Sequence, residues 1–367
     1  MTSLDHLELV DFRVFGRAEL EPAAEGATVL TGPNGAGKTT VLEAVAYLGT
    51  QRSFRGAPRE AMVRGGCDRA VVRGTLHTGD GSVLVETEVT LAGRQRAQVN
   101  RQPARSRTAL AEAVPVSVFS PGDLGLVQGG PAGRRELLDE ALRMVDRRAG
   151  GLVDEVERIL RQRNALLRQV AGRLGPEGAT TLDVWDARLA ETGSELAEAR
   201  EALAGELAPS VASSYAGLAP DDGPTPHARV FVAYRRSFGG DLAAALRAAR
   251  SEDVRRAVTS VGPHRDELEL SIDGRPARSQ ASQGEQRSLA LALRLAVHRL
   301  ATDRRGTPPV LLLDDVFSEL DPTRSRALVH ELPSHQTLVT TAVPLPSGVE
   351  VARTVDVREL GCRPGAR

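Results

Sequence analysis

Residues 32–40 read Gly32-Pro33-Asn34-Gly35-Ala36-Gly37-Lys38-Thr39-Thr40, a fit to G-x-x-x-x-G-K-[ST]. Ala27 to Leu30 just before it reads as a short strand. Val41, Leu42, Ala44, Val45 and Leu48 after it predict a helix over Lys38–Leu48. Strand, glycine-rich turn and helix in that order make a phosphate cradle. The glycines let the backbone curl until successive N–H groups face an anion, and the helix N-terminus adds a positive dipole. Lys38 can reach the β- and γ-phosphates of ATP as a compact point charge, and the Thr39 hydroxyl is a ligand for Mg²⁺. Of the 47 basic residues, 46 are arginine and Lys38 is the sole lysine. A GC-rich coding preference accounts for the arginines, and the lone lysine marks a place where a flat guanidinium does not serve.

Far along the chain, Val310-Leu311-Leu312-Leu313-Asp314-Asp315 reads as a fully apolar strand from the middle of a parallel sheet, ending in two carboxylates. Asp314 is placed to hold the Mg²⁺ shell and Asp315 to polarise an attacking water. Ser318-Glu319-Leu320-Asp321 follows directly. A third segment decides the class. Ala281-Ser282-Gln283-Gly284-Glu285-Gln286-Arg287 precedes a long amphipathic helix predicted from Gly284 to Leu300. By itself Ser282 reads as an ordinary helix N-cap. In this order with the other two motifs, Ser282, Gln283 and Gly284 form the Ser-x-Gly segment that, in ABC ATPases, caps the γ-phosphate bound by an opposing subunit. The fold expected is therefore α/β: an ABC-type P-loop ATPase head with a mixed-sheet lobe and an inserted helical, coiled-coil-like lobe.

Bulk composition narrows the rest. A chain of 367 residues with 41% hydrophobic and 26% charged residues reads as a soluble protein of two domains or lobes. Nothing approaches the roughly 18 consecutive apolar residues of a membrane span, and the N-terminus carries no signal-peptide pattern. Cys67 and Cys362 read as free thiols of a reducing cytoplasm. A net charge of −1 gives no global pull on nucleic acid, so any DNA contact needs a local patch. Aromatics at 3% argue against stacking of single-stranded bases.

Segments 70–76, 83–91 and 94–100 read as hairpin strands, with turn signals at Gly79-Asp80-Gly81 and Ala92-Gly93, and Val116 to Phe119 as a further strand. From Ala132 to Leu207 the sequence is helical and charged, with breaks expected at Gly150-Gly151 and Gly175–Gly178. Leu182, Trp185, Leu189, Thr192, Leu196, Ala199 and Leu203 recur at alternating spacings of three and four, the seam of a coiled-coil-like helix. The preceding helix offers Leu152, Val156, Ile159, Leu166 and Val170, so an antiparallel hairpin is expected. After a Pro- and Gly-rich loop (216–226), strands return at 229–234 and 267–272. Expected boundaries place 1–115 in the first part of the ATPase lobe. Residues 116–304 form the helical lobe with its arm (150–207), and 305–367 the rest of the ATPase lobe with a tail from Gly361 lacking structure.

With the three motifs in hand, the chain resembles the RecF family, bacterial recombination-repair and replication proteins related to SMC-type ATPases. The resemblance spans nearly the whole chain. It includes Leu7-x-Leu9-x-x-Phe12-Arg13, Arg52-Ser53-Phe54-Arg55 and Phe119-Ser120-Pro121-Gly122-Asp123-Leu124. It continues through Pro131-x-x-Arg134-Arg135-x-x-Leu138-Asp139 and Val261-Gly262-Pro263-His264-Arg265-Asp266. It implies an ATP-induced homodimer that clamps duplex or gapped DNA, hydrolyses ATP slowly in a DNA-dependent way, and assists RecA loading with RecO and RecR. It also implies a contact of Arg52 or Arg55 with nucleotide or DNA.

Two departures stand out. Asp315 occupies the position where many ABC enzymes have glutamate, which fits a slow switch. The strand 337–341 ends at Thr341 without the histidine that transport ATPases place there, and His335 precedes that strand. Candidate phosphate-backbone binders are Arg94, Arg96, Arg101, Arg105, Arg107, Arg147, Arg148, Arg158, Arg161, Arg163 and Arg168, each equally readable as a solvated or paired side chain. His264 is read either as functional or as a structural hydrogen-bonding residue. An SMC-like structural head is the alternative, but the helical middle is too short for a long arm. An ABC transporter ATPase subunit is a second, and the family-specific segments oppose it.

Overall fold

Leu7 and Leu9 turn to the same face of the first strand because strand side chains alternate, and both are buried to 1% exposure. The computed structural model describes residues 2–79, 81–93, 95–170, 172–218, 229–332 and 335–361. Asp80 of one turn signal, Arg94, residues 219–226 of the Pro- and Gly-rich loop, Cys362 and the tail beyond it lie outside the described residues. The first third of the chain runs β1 (Ser3–Phe12), β2 (Phe15–Leu20), β3 (Ala27–Thr31), α1 (Lys38–Thr50), α2 (Arg59–Met62), β4 (Arg69–Thr78) and β5 (Gly81–Thr90). It goes on through β6 (Arg96–Val99), β7 (Gln102–Pro103), α3 (Arg107–Ala113), β8 (Val116–Phe119) and α4 (Leu124–Gln128). The helical middle comprises α5 (Pro131–Val145), α6 (Arg147–Val170) and α7 (Pro176–Leu218). Then come β9 (Val230–Arg235), α8 (Leu242–Arg256), β10 (Glu267–Ile272), β11 (Arg275–Pro276) and α9 (Ala277–Gln280). The chain closes with α10 (Gln283–Arg305), β12 (Val310–Asp314), α11 (Pro322–Glu331), β13 (Thr337–Thr340) and β14 (Val351–Asp356).

These elements form two compact units: Met1–Leu124 with Ser213–His227 and Gln283–Arg367, and Gly125–Ala212 with Ala228–Ser282. The boundaries read from sequence, 115/116 and 304/305, cut the chain elsewhere. The helix from Gln283 counts with the first unit because it lies against β8 there.

The first unit holds two sheets. One is antiparallel, ordered β2-β1-β4-β5-β6-β7, and the other parallel, ordered β14-β3-β13-β12-β8. Helix α1 touches strands of both, which is why its apolar residues run all round it and not along one stripe. Strand β12 is flanked by β13 and β8, and all five of its residues are buried, as its unbroken apolar run requires. Buried Gln336 ties the start of β13 to the other sheet. Its Oε1 accepts the Leu4 N–H at 2.7 Å, and its Nε2 donates to the carbonyl of Leu4 at 2.8 Å.

The second unit holds the antiparallel sheet β11-β10-β9 and the helical hairpin. Leu182, Leu189, Leu196 and Leu203 are buried along α7, so the seam read from spacing is a packed face. Ion pairs Arg163–Asp186 and Arg148–Glu195 set α6 and α7 antiparallel. One expected break moves. Helix α6 runs through Gly150-Gly151, and the chain turns instead at Asp146, which leaves helical geometry (φ −145°, ψ 105°) and accepts the Ala149 N–H at 2.9 Å. A cap that satisfies a free N–H of the next helix outweighs two glycines, each of which costs only about 1 kcal/mol inside a helix.

Candidate nucleotide site

The P-loop joins β3 to α1. Gly32, Gly35 and Gly37 all have positive φ (136°, 82° and 106°), a conformation that side chains with a Cβ rarely take. Space matters as well as angle. A Cβ on Gly37 would lie 2.6 Å from Phe15 Cζ, and one on Gly32 would lie 3.1 Å from Val357 Cγ2. The Ala36 N–H closes the turn on the Pro33 carbonyl at 3.2 Å. Pro33, Asn34 and Gly35 form the exposed lip, while Gly37 and Thr40 are buried. Lys38 donates Nζ to the carbonyls of Gly32 (2.8 Å) and Pro33 (3.3 Å). Its charge is thus held by neutral dipoles of its own loop, which phosphate oxygens can replace. Beside the loop, Asp356 is held at about 2, below its ordinary 3.8, by hydrogen bonds from the Arg358 side chain and backbone.

The two strand-end motifs meet although they lie at opposite ends of the chain. Thr39 Oγ1 donates to Asp314 Oδ1 at 2.7 Å, and Thr340 Oγ1 donates to the same oxygen at 2.7 Å. A hydroxyl and a carboxylate side by side are hard oxygen donors suited to Mg²⁺, so these residues fit the metal read from sequence. Asp315 adopts a left-handed conformation (φ 51°) directly after β12. Its Oδ1 accepts the Ala342 N–H at 3.0 Å and also the Ser318 hydroxyl. Its backbone N–H donates to the Thr340 carbonyl at 3.0 Å.

Gln283 and Gly284 open α10, and Ser282 immediately precedes it. Arg324 of α11 lies over Gly284, where a Cβ would come within 2.9 Å of its Nη2. The same guanidinium donates to Ser288 Oγ at 3.1 Å and pairs with Asp321, whose carboxylate caps α11 through the N–H groups of Thr323 and Arg324. Arg287 of α10 donates to the Glu319 carbonyl at 3.2 Å. The segment after the two aspartates is therefore fastened to the first turns of α10.

From sequence alone, Thr340, within the strand 337–341, and Arg324 carry no site role. The only signal for Thr340 is its register, since it pairs with Asp314 across β12 and β13. Arg324 is one arginine among 46 and has no local signal. His264 is half-buried: its Nε2 lies 3.0 Å from the Thr259 carbonyl, and desolvation pushes the imidazole down to about 4. Thr341 Oγ1 turns back to the Val343 carbonyl at 2.6 Å. Arg163 is corrected. It is fully buried, donating to Asp186, Asp253 and Thr259, and cannot reach a DNA backbone. Arg158 pairs with Glu155 and sits over the Trp185 ring at 5.8 Å. Arg96, Arg101, Arg105, Arg147, Arg148, Arg161 and Arg168 are exposed, and Arg107 is half-buried. Among the described residues, no helix is long and apolar enough to cross a membrane.

A family model described as the RecF/RecN/SMC N terminal domain matches residues 3–344. The chain is 44% identical over 357 residues to the DNA replication and repair protein RecF of Frankia alni, covering 93% of each protein. A solved structure of the recombination mediator protein RecF with ATP, from the RecFOR pathway, superposes with a TM-score of 0.84 at 27% identity. That match covers 95% of this chain and 94% of the other. The Smc head domain of Pyrococcus furiosus shares the fold at a TM-score of 0.51 and 15% identity, over 93% of this chain and 90% of that one.

Proposed function

This chain belongs to the RecF family, and on that footing we propose that it is a cytoplasmic, ATP-switched DNA clamp of replication and recombinational repair. Two copies sandwich two ATP molecules, each P-loop facing Ser282, Gln283 and Gly284 of the other copy. The dimer grips duplex or gapped DNA and acts with RecR and RecO in loading RecA. The observation that carries the reading is the 2.7 Å contact of Thr39 with Asp314, which assembles a phosphate cradle and a metal-holding carboxylate into one site.

Lys38 exchanges the Gly32 and Pro33 carbonyls for phosphate oxygens. Thr39 and Asp314 hold Mg²⁺, which when bound neutralises phosphate charge. Asp315 orients the attacking water. It is one methylene shorter than glutamate, and Oδ1 is already engaged by Ala342 and Ser318. Oδ2 is left for water, an arrangement suited to slow turnover that times release. Arg52 or Arg55 lies at the edge of the site and contacts nucleotide or DNA.

Binding to duplex, gapped duplex and single-stranded DNA with and without ATP tests the proposal, alongside sedimentation of wild type and Ser282→Arg. ATP should drive dimerisation and strengthen binding to duplex or gapped DNA. Ser282→Arg should still bind ATP yet remain monomeric. A Ser282→Arg protein that dimerises normally with ATP would show that the composite site is wrong, and absence of DNA binding at low salt would remove the clamp.

A further inference from the structure

In the run Val41-Leu42-Glu43-Ala44-Val45-Ala46 of α1, Glu43 is the one charged side chain, and it is 0% exposed. A carboxylate that deep requires partners, and Glu43 draws them from two separate segments. Arg13, in the turn between β1 and β2, donates Nη2 to Glu43 Oε1 at 2.6 Å and brings Nε against Oε2 in the same ion pair. Ser53, three residues beyond α1, donates its hydroxyl to Oε1. The Ser53 oxygen in turn accepts the N–H groups of Arg55 at 3.2 Å and Ala57 at 3.1 Å, which shapes the loop.

The first segment borders the P-loop. Val14 and Phe15, next to Arg13, press on Gly37, where a Cβ would lie 2.9 Å from Val14 Cγ2 and 2.6 Å from Phe15 Cζ. Arg13 holds a φ of 51°, left-handed for a residue with a side chain. Its tether to Glu43 stabilises that turn. The second segment doubles back. From Lys38 to Thr50, α1 rises roughly 18 Å, whereas Glu43 lies only about 7.5 Å along the axis from Lys38. The bond from Ser53 to Glu43 therefore returns the loop more than half the helix length towards the phosphate end. The exposed Arg52 and Arg55 are carried back with it.

We infer that Glu43 is a positioning residue for the nucleotide site. One carboxylate rooted in the P-loop helix fixes the β1–β2 turn against Gly37 and, through Ser53, the returning loop of Arg52 and Arg55. A nucleotide seated on the P-loop then meets both edges already formed. The inference rests on reading the P-loop as an ATP site.

The test is binding of a fluorescent ATP analogue to wild type, Glu43→Gln, Ser53→Ala, the double variant and Ser53→Thr. Beside it runs limited trypsin digestion without nucleotide, read by mass spectrometry at Arg52 and Arg55 against exposed Arg147. Losing a hydrogen bond to a buried charge should weaken binding about tenfold in each single variant. The double variant should be no weaker than Glu43→Gln, because both changes open the same clasp, and Ser53→Thr should restore wild-type binding. Cutting after Arg52 and Arg55 should accelerate about tenfold in Ser53→Ala. Should Glu43→Gln fail to fold, the contrast of Ser53→Ala with Ser53→Thr carries the decision. Wild-type affinity and cutting in Ser53→Ala, or single-variant losses that multiply, overturn the inference. If wild type itself does not bind the analogue, the ATP reading fails. The digestion then decides the clasp alone, accelerated cutting sustaining it and unchanged cutting overturning it.

Discussion

Lys38 and Arg163 are both cations with hydrogen-bonded side chains, and they are held in opposite ways. Arg163 is fully buried between Asp186 and Asp253, with Thr259 accepting a further bond. Only its Nη2 and Asp186 Oδ2 lack a hydrogen-bond partner in that cluster. Lys38 is half-buried and rests on two carbonyls of its own flexible-angled loop. A cation that builds the fold is matched by opposite charge, because an unpaired buried charge costs several kcal/mol. A cation kept for a ligand is matched by neutral dipoles, which incoming phosphate can displace. The difference separates a structural arginine from a chemical lysine more reliably than residue type does.

The strongest way to break that comparison is Arg163→Ala. It strands two buried carboxylates and should cost about 3–5 kcal/mol of stability, read by urea denaturation. A loss below 1 kcal/mol would mean that the cluster is wet and loosely held. Lys38→Ala should do the reverse. Unfolding free energy should stay within about 0.5 kcal/mol of wild type, while ATP affinity falls on the order of a hundredfold, about 2.7 kcal/mol. Equal damage to stability and binding would erase the distinction.

Protonation sharpens the same contrast between groups committed to the fold and groups free to exchange. Burial holds His264 and His298 at about 4, below their ordinary 6.5. The unfolded chain therefore takes up protons first. Stability is complete above about pH 6.5 and declines as pH falls towards 4. Each imidazole should contribute ~3 kcal/mol to that decline, and His264→Gln should make it shallower. An identical pH profile in that variant would remove His264 from the buried group.

Much of the fold was legible because it depends on contiguous pattern. Glycines at fixed offsets from Lys38, an apolar run closed by Asp314 and Asp315, and leucines at spacings of three and four each dictate their own local geometry. The helix break was misread because Gly150 and Gly151 weaken a helix without ending it, whereas the side chain of Asp146 satisfies the next helix's first turn. Arg163 was misplaced for a related reason. Its neighbours in sequence, Arg161, Gln162 and Asn164, are polar, and Asp186, Asp253 and Thr259, brought in from other segments, turn its environment into an interior.

By itself, then, the sequence determined the class of the protein, the phosphate cradle, the two strand-end carboxylates and the helical hairpin. Each of these is specified by residues close together along the chain, where backbone geometry leaves few alternatives. Tertiary structure alone decided that Thr340 shares Asp314 with Thr39, that Arg324 covers Gly284, and that Glu43 gathers Arg13 and Ser53. Those contacts link segments that no local rule relates, and they form because a buried polar group must find its partner wherever the fold brings one within reach.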